Sequence, residues 1–340
     1  MSDPSRVRRI LVVELWNIGD VILLLPFLNQ LRDIFPQATV SLLARSHARQ
    51  LLGATGLVDE FIDAELAWEK GRSSRARVRW TELVRVARLL RERKFDVAFQ
   101  CRPHVREYVL LALSGARRRV GMARRGWDRL LTHRVPIDVL STQKKDAWLL
   151  LLAPFGGARR VSAPKLRLAE ASRERAAAFL ATHGVSTGTL LIGIHPGASV
   201  AEKRWPLERF ASVIEKLSRT HPEARLMVFI DPEGYGSELA TFRGVIPAKV
   251  DLDVLAGLLE RCDLLICNDS GPMHVAAALG VHCVAVFGTG INRMFEPLGT
   301  GHVAVTSTRS EQSDQMAEPQ YDVADIGAEA VAAAVTRVLG

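Results

Sequence analysis

The stretch LLICNDSGPMHVAAALGVHCVAVF, residues 264–287, contains a complete strand, turn, helix and second strand. Apolar and β-branched residues at 264–268 and 283–287 predict two short buried strands, and the small residues at 272–279 predict a helix between them. Consecutive strands joined by a helix form a parallel pair with the helix packed on the sheet. The stretch therefore predicts an α/β fold.

Strands and helices alternate in the same way along the rest of the chain. Further strands are predicted at residues 10–15, 39–44, 96–100, 118–121, 190–195 and 224–230. Further helices are predicted at residues 20–35, 80–93, 105–113, 171–183, 207–219, 252–260 and 328–339. This alternation is typical of parallel sheets covered by helices on both faces.

Gly, Pro and Arg residues mix at 156–164, which predicts a linker. A chain of 340 residues is long enough for two domains, at roughly 100–200 residues each. We expect an N-terminal domain at residues 1–160 and a C-terminal domain at 165–340. The last helix either stays with the second domain or packs back on the first. Both domains should be doubly wound, with ligands bound at the carboxyl ends of strands.

The chain carries a net charge of +8, and this charge is unevenly distributed. Residues 1–170 hold 31 basic and 17 acidic side chains, a net charge of +14, and residues 171–340 have a net charge of −6. Such a balance indicates an anionic partner: nucleic acid, a membrane surface or a phosphorylated ligand. The arginines that contribute most are either a solvated face or an anion site: Arg72, Arg75, Arg77, Arg79, Arg117, Arg118, Arg119, Arg124, Arg125 and Arg129.

Four cysteines have spacings that match no zinc template, and we expect reduced core residues and no metal site. The apolar N-terminal stretch is interrupted by Glu14, Asn17 and Asp20 and lacks a cleavage motif. It is also too short to span a bilayer, which needs ~20 apolar residues. We expect a cytoplasmic protein.

Gly19 and Asp20 follow the first predicted strand, where Gly19 would permit a tight turn. Asp20 has two interpretations. It could simply cap the following helix, since Asp is a favoured N-cap. It could also be a general base that takes a proton from an acceptor hydroxyl.

Two loops in the second half suit a phosphate. His195-Pro196-Gly197-Ala198-Ser199 follows a strand, and Lys203 and Arg204 add positive charge, although a solvated surface loop would look similar. Asn268 to His274 opens a helix, whose N-terminus attracts anions, although it could also be an ordinary capping sequence. Gly288 lies in a third open turn, and no GxGxxG motif supports a nicotinamide cofactor.

Together these segments resemble glycosyltransferase family 9, the ADP-heptose:lipopolysaccharide heptosyltransferases, over most of the chain. The resemblance is carried by the opening strand with Ile18-Gly19-Asp20, by Phe95-Asp96-Val97 with Leu113-Ser114-Gly115-Ala116, and by the His195 and Lys203 segments. The segment from Asn268 to His274, followed by Ala276-Ala277-Ala278-Leu279-Gly280, is the most specific part.

The resemblance implies a GT-B fold, with two doubly wound Rossmann-like domains facing a central cleft. It implies inverting, metal-independent transfer, without a cofactor, of a heptose from ADP-heptose to a phosphorylated lipopolysaccharide core acceptor at the inner face of the inner membrane. Asp20 becomes the general base and Lys203 the cation on the donor phosphates. The donor site would further contain His195, Gly197, Ser199, Asp269, Ser270, Gly271, Pro272, His274 and Gly288. The acceptor site would contain Asn17, Gly19, Arg102 and Arg118.

Some positions depart from the family pattern. Glu14 stands where many members carry a basic residue, and Trp16 and Asn17 replace small hydroxyl-bearing residues. Asp231-Pro232-Glu233-Gly234 replaces a Gly-rich loop. Two alternatives stay open: a GT-B transferase or epimerase that uses another nucleotide-sugar, and a non-catalytic protein that binds nucleic acid or an anionic surface. No nucleic acid is expected if the resemblance holds.

Overall fold

The computed structural model describes residues 4–63, 80–124, 126–138, 142–157, 165–288, 297–307 and 323–340. The chain divides into two compact units, Met1–Pro164 and Lys165–Gly340. Several residues of the predicted basic cluster and of the third open turn lie outside the described residues: Arg72, Arg75, Arg77, Arg79, Arg125, Thr289 and Gly290.

The first unit is built on a six-stranded parallel sheet in the order β3-β2-β1-β4-β5-β6. Its strands are β1 Arg9–Glu14, β2 Thr39–Ala44, β3 Glu60–Asp63, β4 Val97–Gln100, β5 Arg118–Met122 and β6 His133–Val135. The chain runs outward from β1 to β3 and then returns to β4 on the other side of β1. The loops after β1 and β4 therefore lie side by side at the point where ligands bind in such sheets.

The second unit repeats this arrangement with the order β12-β11-β10-β7-β8-β9, again entirely parallel. Its strands are β7 Leu191–His195, β8 Arg225–Phe229, β9 Val245–Ala248, β10 Leu264–Asn268, β11 His282–Phe287 and β12 Val303–Thr306. The reversal falls between β7 and β10. The prediction of two doubly wound α/β units is confirmed.

Helices cross over between the strands of both units. In the first unit they are α1 Ile18–Leu23, α2 Leu25–Ile34, α3 Ser46–Leu52, α4 Trp80–Glu92, α5 Val105–Leu113 and α6 Lys144–Leu150. In the second they are α7 Glu170–Thr182, α8 Leu207–Thr220, α9 Leu252–Glu260, α10 Gly271–Leu279 and α11 Ala328–Leu339. The last helix, α11, packs against α8, β11 and β12. No helix in the described ranges combines the length and apolar composition needed to cross a lipid bilayer.

The prediction of a single helix at residues 20–35 is wrong in one respect. The structure has two helices there, α1 and α2, separated at Leu24. Pro26 explains the break, because proline has no N–H to donate to the carbonyl four residues earlier and is accommodated in the first turn of a new helix.

Apolar side chains of each unit form its core. In the second unit Trp205 is fully buried, meets Phe210 edge to face at a ring-centroid distance of 4.8 Å, and donates its indole N–H to the carbonyl of Ile326 at 2.8 Å. The four cysteines are buried and free of disulfide bonds, as expected.

Candidate functional site

Asp20 is a buried carboxylate in the first turn of α1, directly after the loop that follows β1. The N-cap of this helix is Asn17 rather than Asp20, and Asp20 Oδ2 accepts the backbone N–H of Asn17 at 3.2 Å. Gly19 lies within the same helix and does not adopt a positive φ, so the expectation of a tight turn at Gly19 is wrong. Capping uses one oxygen of Asp20 and leaves the other for different partners.

The second oxygen of Asp20 forms ion pairs with two cationic side chains. Arg102, which follows β4, donates from Nη2 to Oδ1 at 2.7 Å, and the ammonium group of Lys144 contacts the same oxygen. Both cationic side chains are largely buried. A buried carboxylate is costly unless it is paired and hydrogen-bonded, and these contacts meet that requirement. The arrangement goes well beyond what helix capping requires.

Lys144 is absent from the predicted site residues. It is the first residue of α6, and α6 packs against α2, which brings the ammonium group to Asp20. The sequence does contain a signal for the helix, because Lys144 and Lys145 precede an apolar run from Trp148 to Leu152. Nothing in that pattern indicates which helix or carboxylate lies next to Lys144.

Glu14, the last residue of β1, is a second buried carboxyl group in this cluster. Its Oε1 accepts the N–H of Trp16 at 3.2 Å, and its Oε2 has no hydrogen-bond partner among the residues that the structure describes. Burial raises the pKa of Glu14, against the lowering effect of the nearby charges of Arg102 and Lys144. Two carboxyl groups and two cations thus share the carboxyl edge of the first sheet.

Of the four predicted acceptor residues, three lie in this cluster and one does not. Asn17 and Gly19 belong to the start of α1, and Arg102 contacts Asp20 directly. Arg118 begins β5, where it is level with Val97 and therefore with the first half of β1. It lies at the amino end of the sheet, opposite the edge that holds Asp20. The structure therefore does not bring Arg118 next to Asp20, because strand direction separates them, and its place in the acceptor site stays a prediction.

In the second unit, Asn268 connects the loops that follow β10 and β7. Its side-chain amide donates to the carbonyl of Pro196 at 2.6 Å, and its Oδ1 accepts the N–H of Trp205 at 3.2 Å. Asn268 is fully buried, so both contacts are held away from water. They fix the His195 loop and the Lys203 segment next to the start of α10.

Lys203 and Asp269 form an ion pair in this unit. Lys203 closes a 3₁₀ turn at Ala201–Lys203, and its Nζ lies 2.5 Å from Oδ2 of Asp269, which directly follows β10. Both side chains are more than four-fifths buried. Arg204 lies next in sequence, with its guanidinium 4.4 Å from the ring centroid of Tyr235. Two cations therefore stand where the sequence predicts a phosphate site.

His195 ends β7 and is buried, with Nδ1 3.4 Å from the hydroxyl of Ser270. Burial lowers the pKa of His195 to about 4, against a raising effect of Asp231. The ring is neutral at pH 7 and supplies no positive charge. Gly197 packs closely on it, since a Cβ there would lie 3.1 Å from the His195 ring. His195 and Gly197 shape the loop, and the charge comes from Lys203.

The N-terminus of α10 faces the same edge. Ser270 is the N-cap, and Gly271 and Pro272 are the first helical residues, followed one turn in by the buried His274. Gly288 directly follows β11, the neighbour of β10, and Ser199 is exposed in the loop after β7. A nine-residue helix whose first turn is open beside a lysine is a suitable anion site.

Two parallel, doubly wound units with charged residues at the switch point of each sheet define an α/β protein of the GT-B class. The family model described as glycosyltransferase family 9 (heptosyltransferase) matches residues 83–323, more than half of the chain. The protein therefore belongs to glycosyltransferase family 9 and is a glycosyltransferase.

The chain is also similar to individual heptosyltransferases and to solved structures of this family. The chain is 26% identical over 306 residues to lipopolysaccharide heptosyltransferase 2 of Salmonella typhimurium, covering 82% of both chains. It is similar to the crystal structure of a family 9 glycosyl transferase from Veillonella parvula, with a TM-score of 0.83, 27% identity and coverage of 99% and 98%. The fold of E. coli ADP-heptose lipopolysaccharide heptosyltransferase II also matches, with a TM-score of 0.76, 22% identity and 98% coverage of each chain.

Proposed function

We propose that this protein transfers a heptose from ADP-heptose to a lipopolysaccharide core acceptor, with inversion at the anomeric carbon. The observation that carries the proposal is Asp20, a buried carboxylate fixed by a backbone N–H and two cations at the switch point of the first sheet. The names of the related proteins support the donor and acceptor classes, since these relatives are lipopolysaccharide heptosyltransferases.

Asp20 would act as the general base in the first unit. Among the described residues its Oδ2 accepts one hydrogen bond, at 3.2 Å, so this oxygen is the better placed of the two to receive a proton from the acceptor hydroxyl. Arg102 and Lys144 hold the carboxylate in position through Oδ1. A phosphorylated acceptor would also attract these two cations, which places its anionic group close to the base.

The second unit would hold the donor. As the bond between the sugar and the diphosphate breaks, negative charge grows on the leaving phosphate, and Lys203 with the N-terminus of α10 would stabilise that charge without a metal. Asp269 holds Lys203 in place before the donor binds. The acceptor hydroxyl attacks the anomeric carbon, the bond to the phosphate oxygen breaks, and the hydroxyl proton passes to Asp20.

The basic first half supports action at an anionic lipid surface on the cytoplasmic side of the inner membrane, where each Lys or Arg near the surface contributes about 1 kcal/mol. The membrane location and the acceptor are both part of the proposed function.

The test uses purified protein, ADP-heptose and a deacylated core oligosaccharide that lacks heptose, with the product detected by mass spectrometry. Asp20→Asn should lower kcat by roughly 10²–10⁴-fold, the usual contribution of a general base, and should leave ADP-heptose binding unchanged in a calorimetric titration. Asp33→Asn, which changes an exposed carboxylate on α2, is the matched control and should retain full activity.

Lys203→Ala should weaken donor binding and lower kcat. Lys216→Ala should do neither, because Lys216 lies within α8, outside the loops that follow β7 and β10, and forms a surface ion pair with Glu329. Binding of a UDP-sugar in place of ADP-heptose would refute the proposed donor. Full activity of Asp20→Asn would refute the proposed base.

A further inference from the structure

Trp16 is a large apolar side chain that remains 38% exposed next to a buried cluster of charges. It lies in the short loop between β1 and α1, four residues before Asp20. Among the described residues, Val84 and Trp127 are the other large hydrophobic side chains with comparable exposure. Val84 lies on α4 and Trp127 begins a short turn at Trp127–Leu130, so Trp16 differs from both by its place in the loop that leads to Asp20.

Two contacts fix Trp16, one at its backbone and one at its ring. The backbone N–H of Trp16 donates to Glu14 Oε1 at 3.2 Å, and the Arg102 guanidinium lies over the ring, 3.8 Å from its centroid. Arg102 is itself anchored to Asp20. Arg102 therefore covers one face of the indole, while more than a third of the residue stays exposed. The ring is a pre-oriented flat surface.

The same guanidinium contacts both Trp16 and Asp20. The indole centroid therefore lies within about 8 Å of Asp20 Oδ1, given the two contacts and one C–N bond of the guanidinium. A pyranose ring has an apolar C–H face and a polar rim of hydroxyls. A flat aromatic face beside a carboxylate and two cations matches both parts of such a ring.

We propose that Trp16 is the stacking platform for the acceptor sugar, the ring whose hydroxyl Asp20 deprotonates. This inference rests on the proposed function and adds the residue that orients the acceptor. Stacking on the exposed face of Trp16 buries apolar area on both partners and fixes the sugar at a set height above the sheet edge.

The experiment measures acceptor and donor KM separately, with ADP-heptose and the deacylated heptose-free core oligosaccharide as probes. Trp16→Ala should raise the acceptor KM about tenfold, leave the donor KM unchanged and change kcat by less than about threefold. Trp16→Phe should restore most of the affinity because it keeps an aromatic face. Trp127→Ala, at the other exposed tryptophan of the same unit, is the matched control and should leave both KM values unchanged.

A second measurement needs no substitution at Trp16. The oligosaccharide should protect Trp16 from oxidation by N-bromosuccinimide, as mapped by mass spectrometry, and should not protect Trp127.

Different results separate this inference from the proposed function. If the wild-type protein transfers heptose and Trp16→Ala keeps the wild-type acceptor KM, the role of Trp16 as a stacking platform is refuted. The proposed function then still holds. Loss of vesicle binding in Trp16→Ala, with unchanged use of the deacylated oligosaccharide, would also refute the stacking platform by assigning the ring to lipid. Wild-type protein that transfers no heptose would overturn the proposed function first.

Discussion

The buried ring of His195 should make the second unit sensitive to mild acid. The ring is 7% exposed, and burial lowers its pKa from 6.5 to about 4. Between these two values the unfolded chain takes up a proton that the folded chain does not. The associated stability is therefore fully present above pH 6.5 and is lost progressively as the pH falls toward 4. The complete shift corresponds to about 3 kcal/mol.

From pH 7 to pH 5, this one residue should lower the free energy of unfolding by about 2 kcal/mol. Urea unfolding at both pH values, followed by tryptophan fluorescence, measures the change. His195→Gln should show a drop smaller than that of the wild type by about this amount, because glutamine does not titrate. His221→Gln, at the end of α8, is the matched control and should keep the wild-type drop.

An equal drop for wild type and His195→Gln would refute the assignment of acid sensitivity to this ring. If the variant proves too unstable for urea titration, the wild-type protein still provides a test. The NMR resonance of the His195 ring should stay at its neutral position down to about pH 5, and titration with a midpoint near 6.5 would contradict the structure.

Three further outcomes are expected. Gly257→Ala should destabilise the second unit by about 1–3 kcal/mol in urea unfolding, because a Cβ there would lie 2.6 Å from the carbonyl oxygen of Ser172 where α9 meets α7. Trp205→Phe should cost about 1–3 kcal/mol in the same measurement, because it removes the indole hydrogen bond to the Ile326 carbonyl, which keeps Arg209 as a donor, and because the smaller ring leaves space in a fully buried position. Lys144→Met should lower kcat/KM for the acceptor at least tenfold while ADP-heptose still binds, because Asp20 loses one of its two cationic partners.

The repeated strands and helices were predictable because the sheets are parallel and buried on both faces. A strand such as β10 is a continuous apolar run and is followed by turn residues and a helix, so its bounds can be taken from hydrophobicity alone. The elements that were missed, including α3, α6 and β12, are short, with 7, 7 and 4 residues. In such segments a few residues decide the pattern, and contacts with the sheet rather than local preference fix the structure.

The residues of the candidate site likewise differ in how far the sequence predicts their positions. Asp20 and Lys203 were predictable because each follows a strand in a motif of several residues. Lys144 was not, because its position depends on the packing of α6 against α2, which no local pattern contains. Arg118 lies near Gly121 in a basic segment that suggests an anion site, but it begins its strand instead of following one, so the structure does not bring it next to Asp20. In a parallel sheet, that difference moves a side chain to the other edge.

The two candidate sites balance their charges differently, and this bears on how each would bind an anion. In the first unit one carboxylate, Asp20, has two cations, and Glu14 nearby is kept less acidic by burial. In the second unit Lys203 pairs with the carboxylate of Asp269. A cation that is already positioned and partly dehydrated by a protein carboxylate loses little further freedom when an anionic ligand replaces or joins that partner. Under the proposed function, the resting ion pairs would therefore do more than neutralise buried charge, because they would hold Arg102, Lys144 and Lys203 ready for phosphate groups.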